Sequence, residues 1–205
     1  HEWRKHEKEL YCPKQQAVQV MVPSMKFLVL DGVGNPNHAA FTDDIEALYS
    51  LSYGIKMLPK KGVMPDGCFD YTVYPLEALW KQIEHTEQFD KNNLQYRVMI
   101  RQPDFVTSDV LEAAIVNVSK RKSLPRFKDV RLESIEDGDC VQILHVGPYD
   151  DEPESFMKVD EFCSAHTLQR ANNEWHREIY LSDARKVEPA KLKTVLRVQV
   201  KSMQF

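Results

Sequence analysis

Long hydrophobic runs are missing from this 205-residue sequence. Stretches such as residues 27–30 reach only four apolar residues, where a membrane-spanning helix needs roughly 20. Glycine and proline are scarce, at 7 and 11, too few for a linker-like or low-complexity chain. The four cysteines, at positions 12, 68, 140 and 163, form no C-x-x-C pair and keep no regular spacing. They therefore spell out neither a disulfide framework nor a zinc site. An excess of positive charge is absent too: 27 basic residues face 31 acidic ones, for a net charge of -4. A general nucleic-acid binder would need a basic face to displace counterions, so direct nucleic-acid binding is not expected. Residues 1–6 carry no hydrophobic stretch of the kind a secretory signal has. The expectation is a reduced, cytoplasmic protein without membrane contact.

Common catalytic signatures are absent as well. Gly32-Val33-Gly34 stops short of G-x-G-x-x-G, and no Lys-Ser or Lys-Thr pair closes it, which argues against dinucleotide and P-loop sites. No G-x-S-x-G elbow occurs. The 7 histidines include no H-x-x-x-H pair and none at ligand spacing from a cysteine. No cofactor and no metal are therefore expected. Cys140 and His145 have opposite parity on one short strand, so they face opposite ways and make a poor nucleophile pair.

What is present is a globular chain with 42% hydrophobic residues, enough to bury a core. Residues 1–16 are highly charged and read as a solvated arm or a short helix, and residues 17–205 as one domain. Residues 18–22 and 27–30 read as two strands joined by a tight turn at Pro23-Ser24. A helix capped by Thr42 follows, with Ile45, Leu48, Ser52 and Ile55 on one face and Gly54 weakening its last turn. Residues 69–74 alternate like a strand, 76–83 fit a strand or a short helix, 87–93 form a polar loop, and 94–101 are strand-like. Thr107 caps a second helix over 107–122. Residues 130–135 and 141–146 then read as strands around a hairpin turn at Asp137-Gly138. A helix able to start at Pro153 turns Phe156, Val159, Phe162 and Cys163 inward. Strands at 175–181 and 194–200 complete the pattern.

Both halves thus read strand, strand, helix, strand, strand. Val33-Gly34-Asn35-Pro36 and Val146-Gly147-Pro148-Tyr149 fall at matching places. The fold class expected is α+β, with two pseudo-symmetric β-β-α-β-β repeats, 17–106 and 128–205, joined by the crossover helix 107–122. The sheet they form is mostly antiparallel and curved.

The most informative segment is Trp175-His176-Arg177-Glu178-Ile179-Tyr180-Leu181. Period-2 alternation puts His176, Glu178 and Tyr180 on one face and Trp175, Arg177, Ile179 and Leu181 on the other. An acid, an imidazole and a phenol together suit acid–base work or the binding of a cationic or polar aromatic ligand. The plain alternative is a solvated outer face, since antiparallel sheets often leave one side in water. Tyr49, Tyr53, Phe69, Tyr71, Tyr74, Trp80, Tyr96 and Tyr149 pose a similar choice between core and the wall of a flat-ligand site.

Several stretches resemble one family. They are Asp31-Gly32-x-Gly34-Asn35-Pro36-Asn37, Leu51-Ser52-Tyr53-x-Ile55-Lys56-Met57, and Phe69-Asp70-Tyr71 through Pro75-Leu76-Glu77-x-Leu79-Trp80. Met99-Ile100-Arg101-Gln102-Pro103-Asp104-Phe105-Val106 belongs with them. The most specific are His145-x-Gly147-Pro148-Tyr149-Asp150-Asp151-Glu152-Pro153 and Glu178-Ile179-Tyr180-Leu181-Ser182-Asp183-x-Arg185-Lys186. Together they resemble the standalone bacterial type of the GyrI-like small-molecule-binding domain family. Ala78 stands where the family often has Gly, and Lys81 where it often has a second Trp.

The resemblance implies two β-α-β-β repeats about a pseudo-two-fold, with a ligand cleft between the halves. It also implies binding of bulky, flat or cationic aromatic compounds around a buried glutamate, matched by Glu178. Trp80, Tyr71, Tyr149, Tyr180, Tyr53 and His176 would line the site. Some standalone members are hydrolases that open the cyclopropane ring of DNA-alkylating antibiotics and so detoxify them. The expectation for this chain is that hydrolysis, with Glu178 as general base, its proton affinity raised by burial, and a hydroxyl from Tyr149 or Tyr180 assisting. An alternative from another class is a non-catalytic multidrug-binding module in which Glu178 offsets a ligand's positive charge. A topoisomerase inhibitor is a third, carried by the family name alone. Residues 1–16 cannot hold a helix-turn-helix, so a transcription-regulator role is not expected.

Overall fold

The computed structural model describes residues 1–84 and 90–203. In chain order its elements are α1 (Trp3–His6), α2 (Lys8–Tyr11), β1 (Val18–Val22), β2 (Met25–Val33), α3 (Ala39–Met57), β3 (Leu76–Gln82) and β4 (Leu94–Gln102). They continue with α4 (Ser108–Ser119), β5 (Arg131–Ile135), β6 (Gly138–Val146), α5 (Glu152–Ala165), β7 (Leu168–Arg170), β8 (His176–Tyr180) and β9 (Lys193–Ser202). The fold is α+β, and the strand pairings are antiparallel. Residues 87–89 of the expected polar loop lie outside the described residues.

The chain forms two compact units. The first comprises His1, Met25–Leu76 and Gln82–Ile135; the second comprises Glu2–Ser24, Glu77–Lys81 and Glu136–Phe205. Each therefore takes pieces from both halves of the sequence, and this corrects both expected hairpins. β1 pairs with β6, not with β2. β5 pairs with β2, not with β6. The reason lies in burial. β2 and β6 each bury four consecutive residues, Phe27–Leu30 and Cys140–Ile143 included, and such strands need a neighbour on both edges. β2 lies between β4 and β5, and β6 between β1 and β9. Pro23-Ser24 also lacks the positive-φ residue that a two-residue hairpin demands.

In the first unit, α3 packs on β2, β4 and α4. The helix starts at Ala39 with His38 at its N-cap, a turn earlier than a Thr42 cap would place it, because Ala39-Ala40 extend it backwards at little cost. Thr107 does cap α4, its hydroxyl accepting from Val110 N at 3.3 Å. Gly54 does more than weaken a turn: a Cβ there would sit 2.5 Å from Val118 Cγ2, so its bareness lets α4 approach. Residues 69–74 lie outside any strand. Their rings pack instead, with Phe69 and Tyr71 both edge-on to Phe105.

In the second unit the strand order is β1-β6-β9-β8-β3, with β7 on the far end of β9. α5 covers one face, where Val159 and Cys163 meet Val141, Ile143, Leu196 and Val198, with Phe156 and Phe162 at the margin. The N-terminal segment covers the other. Trp3 and Tyr11 are buried, Gln142 Nε2 donates to Glu9 O at 2.6 Å, and Arg197 Nη2 donates to Leu10 O at 2.5 Å. The segment with the short helices α1 and α2 is thus seated on the sheet. All four cysteines are free, and among the described residues no helix is long and apolar enough to cross a membrane.

Candidate functional site

β8 is held on both edges. Glu178 lies opposite Ala78 of β3 and Leu196 of β9, and His176 lies opposite Trp80. Ladders on both sides fix the direction of every side chain. Arg177 points to one face, where its guanidinium meets Glu77 at 2.7 Å and Asp137 at 2.9 Å. His176, Glu178 and Tyr180 point to the face that α5 covers, as Phe156 of α5 sets its ring edge-on to His176 at 5.0 Å. A solvated outer surface is thereby corrected: Glu178 is 8% exposed.

These side chains form one hydrogen-bonded row. Trp80 Nε1 donates to the Tyr180 oxygen at 2.9 Å, and the Tyr180 hydroxyl donates to Glu178 Oε2 at 2.6 Å. His176 Nε2 lies 2.8 Å from Glu178 Oε1. Since a carboxylate only accepts, the imidazole carries its proton on Nε2. Tyr149 adds its ring edge-on to Tyr180 at 6.0 Å. Burial, then the Glu178 charge, pushes the Tyr149 phenol up to about 12. The same two causes hold the Tyr180 phenol well above its usual range. Both stay protonated donors at neutral pH.

A second carboxyl completes the group. Glu152, at the first residue of α5, is buried, with Oε1 lacking any hydrogen-bond partner among the described residues. Burial first, and then Glu178, push its proton affinity up to about 10. The loop before it is set by Gly147, whose φ of +142° suits no side-chain-bearing residue. It is also set by His145, whose Nε2 donates to Pro148 O at 3.0 Å while Nδ1 accepts from Ser155 Oγ at 2.9 Å. Sequence reasoning singled out neither Glu152 nor this role of His145. An acidic residue in a helix's first turn has an ordinary explanation in the helix dipole, and the one available signal was its place in the Gly147–Pro153 block.

Glu152, His176 and Glu178 each bring one possible ligand atom within 4.8 Å of the others, a triad that linear spacing could not show. Both Glu178 oxygens and His176 Nε2 are already hydrogen-bonded to each other or to Tyr180. The three groups form one compact cluster of two carboxyls and an imidazole.

Of the expected site residues, Glu178, His176, Tyr180, Trp80 and Tyr149 come together in the second unit. Tyr71 and Tyr53 belong to the first. Tyr71 is buried, with Lys56 Nζ 5.9 Å above its ring. Tyr53 is exposed on α3 and stacks on Tyr49 at 6.3 Å.

The chain is similar over nearly its whole length to proteins of known structure. An uncharacterized conserved protein from Listeria innocua is 36% identical, with a TM-score of 0.91 over 98% of this chain and 99% of that one. A hydrolase from Listeria innocua is 35% identical, with a TM-score of 0.90 over the same shares. The C-terminal domain of EcmrR, 12% identical with a TM-score of 0.54 over 92% of this chain and 98% of that domain, shares the fold. No curated protein matches the chain. The sequence model of the GyrI-like small molecule binding domain matches residues 16–201. With that span and the row of Trp80, Tyr180, Glu178 and His176 in place, the chain belongs to the GyrI-like small-molecule-binding domain family.

Proposed function

We propose that the protein binds aromatic electrophiles and hydrolyses a strained ring in them, with Glu178 as general base. The observation that carries this reading is the Glu178 carboxylate, buried yet held by two donors, His176 and Tyr180. Two hydrogen bonds leave lone pairs free for a water molecule. As water attacks the ring carbon, a C–O bond forms, the water proton passes to Glu178, and the ring C–C bond breaks. Its electron pair moves to a conjugated carbonyl, whose oxygen takes a proton from a phenol. Tyr180 already directs its proton at Glu178, so Tyr149 is the hydroxyl for the ligand. The Listeria relative described as a hydrolase supports a hydrolytic role. The substrate class, DNA-alkylating aromatics bearing a cyclopropane, and a detoxifying, cytoplasmic, cofactor-independent role are part of the same proposal.

Incubation with a cyclopropane-bearing alkylator, followed by mass spectrometry, tests it. Gain of one water in the ligand supports hydrolysis. Glu178→Gln keeps the shape and removes the base, so turnover should fall by ~100-fold or more, with neutral-ligand affinity little changed. Binding without ring opening would favour the other reading, a multidrug-binding module in which Glu178 balances a cationic ligand. A Gln variant at the parent rate would remove Glu178 from the base role.

A further inference from the structure

We propose that Glu152 and Glu178 hold one proton between them, carried by Glu152, so that the pair bears a single negative charge and Glu178 is the ionised member. Their carboxyl oxygens lie within 4.8 Å, and both residues are buried. Two carboxylates so close and so dry do not both ionise. The hydrogen bonding decides which keeps the proton. Glu178 receives a donor on each oxygen, so both of its oxygens act as acceptors. Glu152 Oε1 receives none among the described residues, which favours its neutral form.

The other groups around Glu152 agree. From β8 it faces Glu178, His176 and the protonated Tyr180; from the turn before α5 it faces Asp150 and Tyr149. His145 of β6 is engaged through Ser155 on the helix itself. On β7, Arg170 is paired with Asp160 further along α5. The cluster thus surrounds Glu152 with acids and neutral donors.

Glu152 is a positioning residue. Its neutral carboxyl donates to Glu178, restrains that carboxylate and holds the charge of the site at one. Such a site suits a neutral electrophile or a monocation. A second negative charge appears only when Glu152 loses its proton in alkaline solution. The catalytic meaning rests on Glu178 being the base; the protonation state does not.

Infrared spectroscopy of the whole chain in deuterium oxide tests the protonation state without any substrate. Difference spectra between the parent and Glu152→Gln should show a protonated-carboxyl stretch at neutral pH that belongs to the parent and fades in alkaline solution. In Glu178→Gln the neighbouring charge is gone, so the same band should fade at lower pH than in the parent. Identical spectra for the parent and Glu152→Gln, or a band that titrates unchanged in Glu178→Gln, would overturn the proposal. A rate profile adds the catalytic arm. The parent should change rate as Glu152 deprotonates, and Glu152→Gln should lack that limb. A protein that opens no ring but shows the band refutes the hydrolase reading and leaves the shared proton standing.

Discussion

Tyr180 and Glu178 stand two residues apart on one face of β8, and the phenol donates to Glu178 Oε2 across 2.6 Å. The phenol oxygen in turn accepts from Trp80 Nε1 at 2.9 Å. One proton and one lone pair of Tyr180 are thereby committed, and both commitments aim the carboxylate. Trp80, buried on the neighbouring strand, acts on Glu178 through Tyr180 as well as offering its own indole.

Tyr180→Phe removes that brace while keeping the ring. A hydrogen bond to a charged group contributes about 1.5–3 kcal/mol, so kcat for ring opening should fall roughly 10–100-fold. KM for a neutral substrate should change little, because the ring still fills the same space. Steady-state kinetics on the two proteins checks the split. A rise in KM with kcat intact would make Tyr180 a binding residue only.

The alternation that exposed Glu178, His176 and Tyr180 was legible because a strand's period fixes which side chains share a face. The pairing of strands was not. Pro23-Ser24 and Asp137-Gly138 are local signals, and they cannot tell that β1 joins β6 and β5 joins β2. That choice follows from β2 and β6 each needing two neighbours, a tertiary matter. Glu152 was hidden for the same reason: it meets Glu178 by the packing of α5, and no spacing within the chain encodes that contact. The N-terminal segment looked like a charged arm because its two buried rings, Trp3 and Tyr11, which meet at 5.2 Å, are outnumbered by charged neighbours.

On the other face of β8, Arg177 is buried between Glu77 and Asp137 at 2.7 and 2.9 Å. Removing one partner strands a charge away from water. Glu77→Ala should therefore cost on the order of 3–5 kcal/mol of stability. The Lys81–Glu174 pair, at 3.1 Å but with Glu174 well exposed, should cost under about 1 kcal/mol when Glu174 is replaced by Ala. Urea unfolding of the two variants measures the contrast, and equal losses would contradict it.

Gly54 and Val118 give a packing test in the first unit. A methyl at position 54 would lie 2.5 Å from Val118 Cγ2. Gly54→Ala gains roughly 1 kcal/mol of helix propensity, but overpacking of this kind costs about 1–3 kcal/mol. The single variant should be no more stable than the parent. Adding Val118→Ala makes room, so Gly54→Ala should become stabilising in that background. A thermal-unfolding double-mutant cycle that shows strict additivity would mean the helices simply part.

Glu152 also predicts how stability depends on pH. Its folded value is raised to about 10 from an ordinary 4.5. Between those limits the native protein keeps a proton that the unfolded chain has released, so this group makes stability fall as pH rises. Below the unfolded value both states are protonated and the effect vanishes. Glu152→Gln removes the titration while keeping a neutral, hydrogen-bonding side chain of the same size. The stability of the Gln variant relative to the parent should therefore grow from about pH 5 to about pH 8, by up to about 1.4 kcal/mol per pH unit. All other titrating groups are common to both proteins and largely cancel in the difference. Urea midpoints at the two pH values decide the matter: a constant gap would mean that Glu152 is ionised in the native state, with its charge met by a partner.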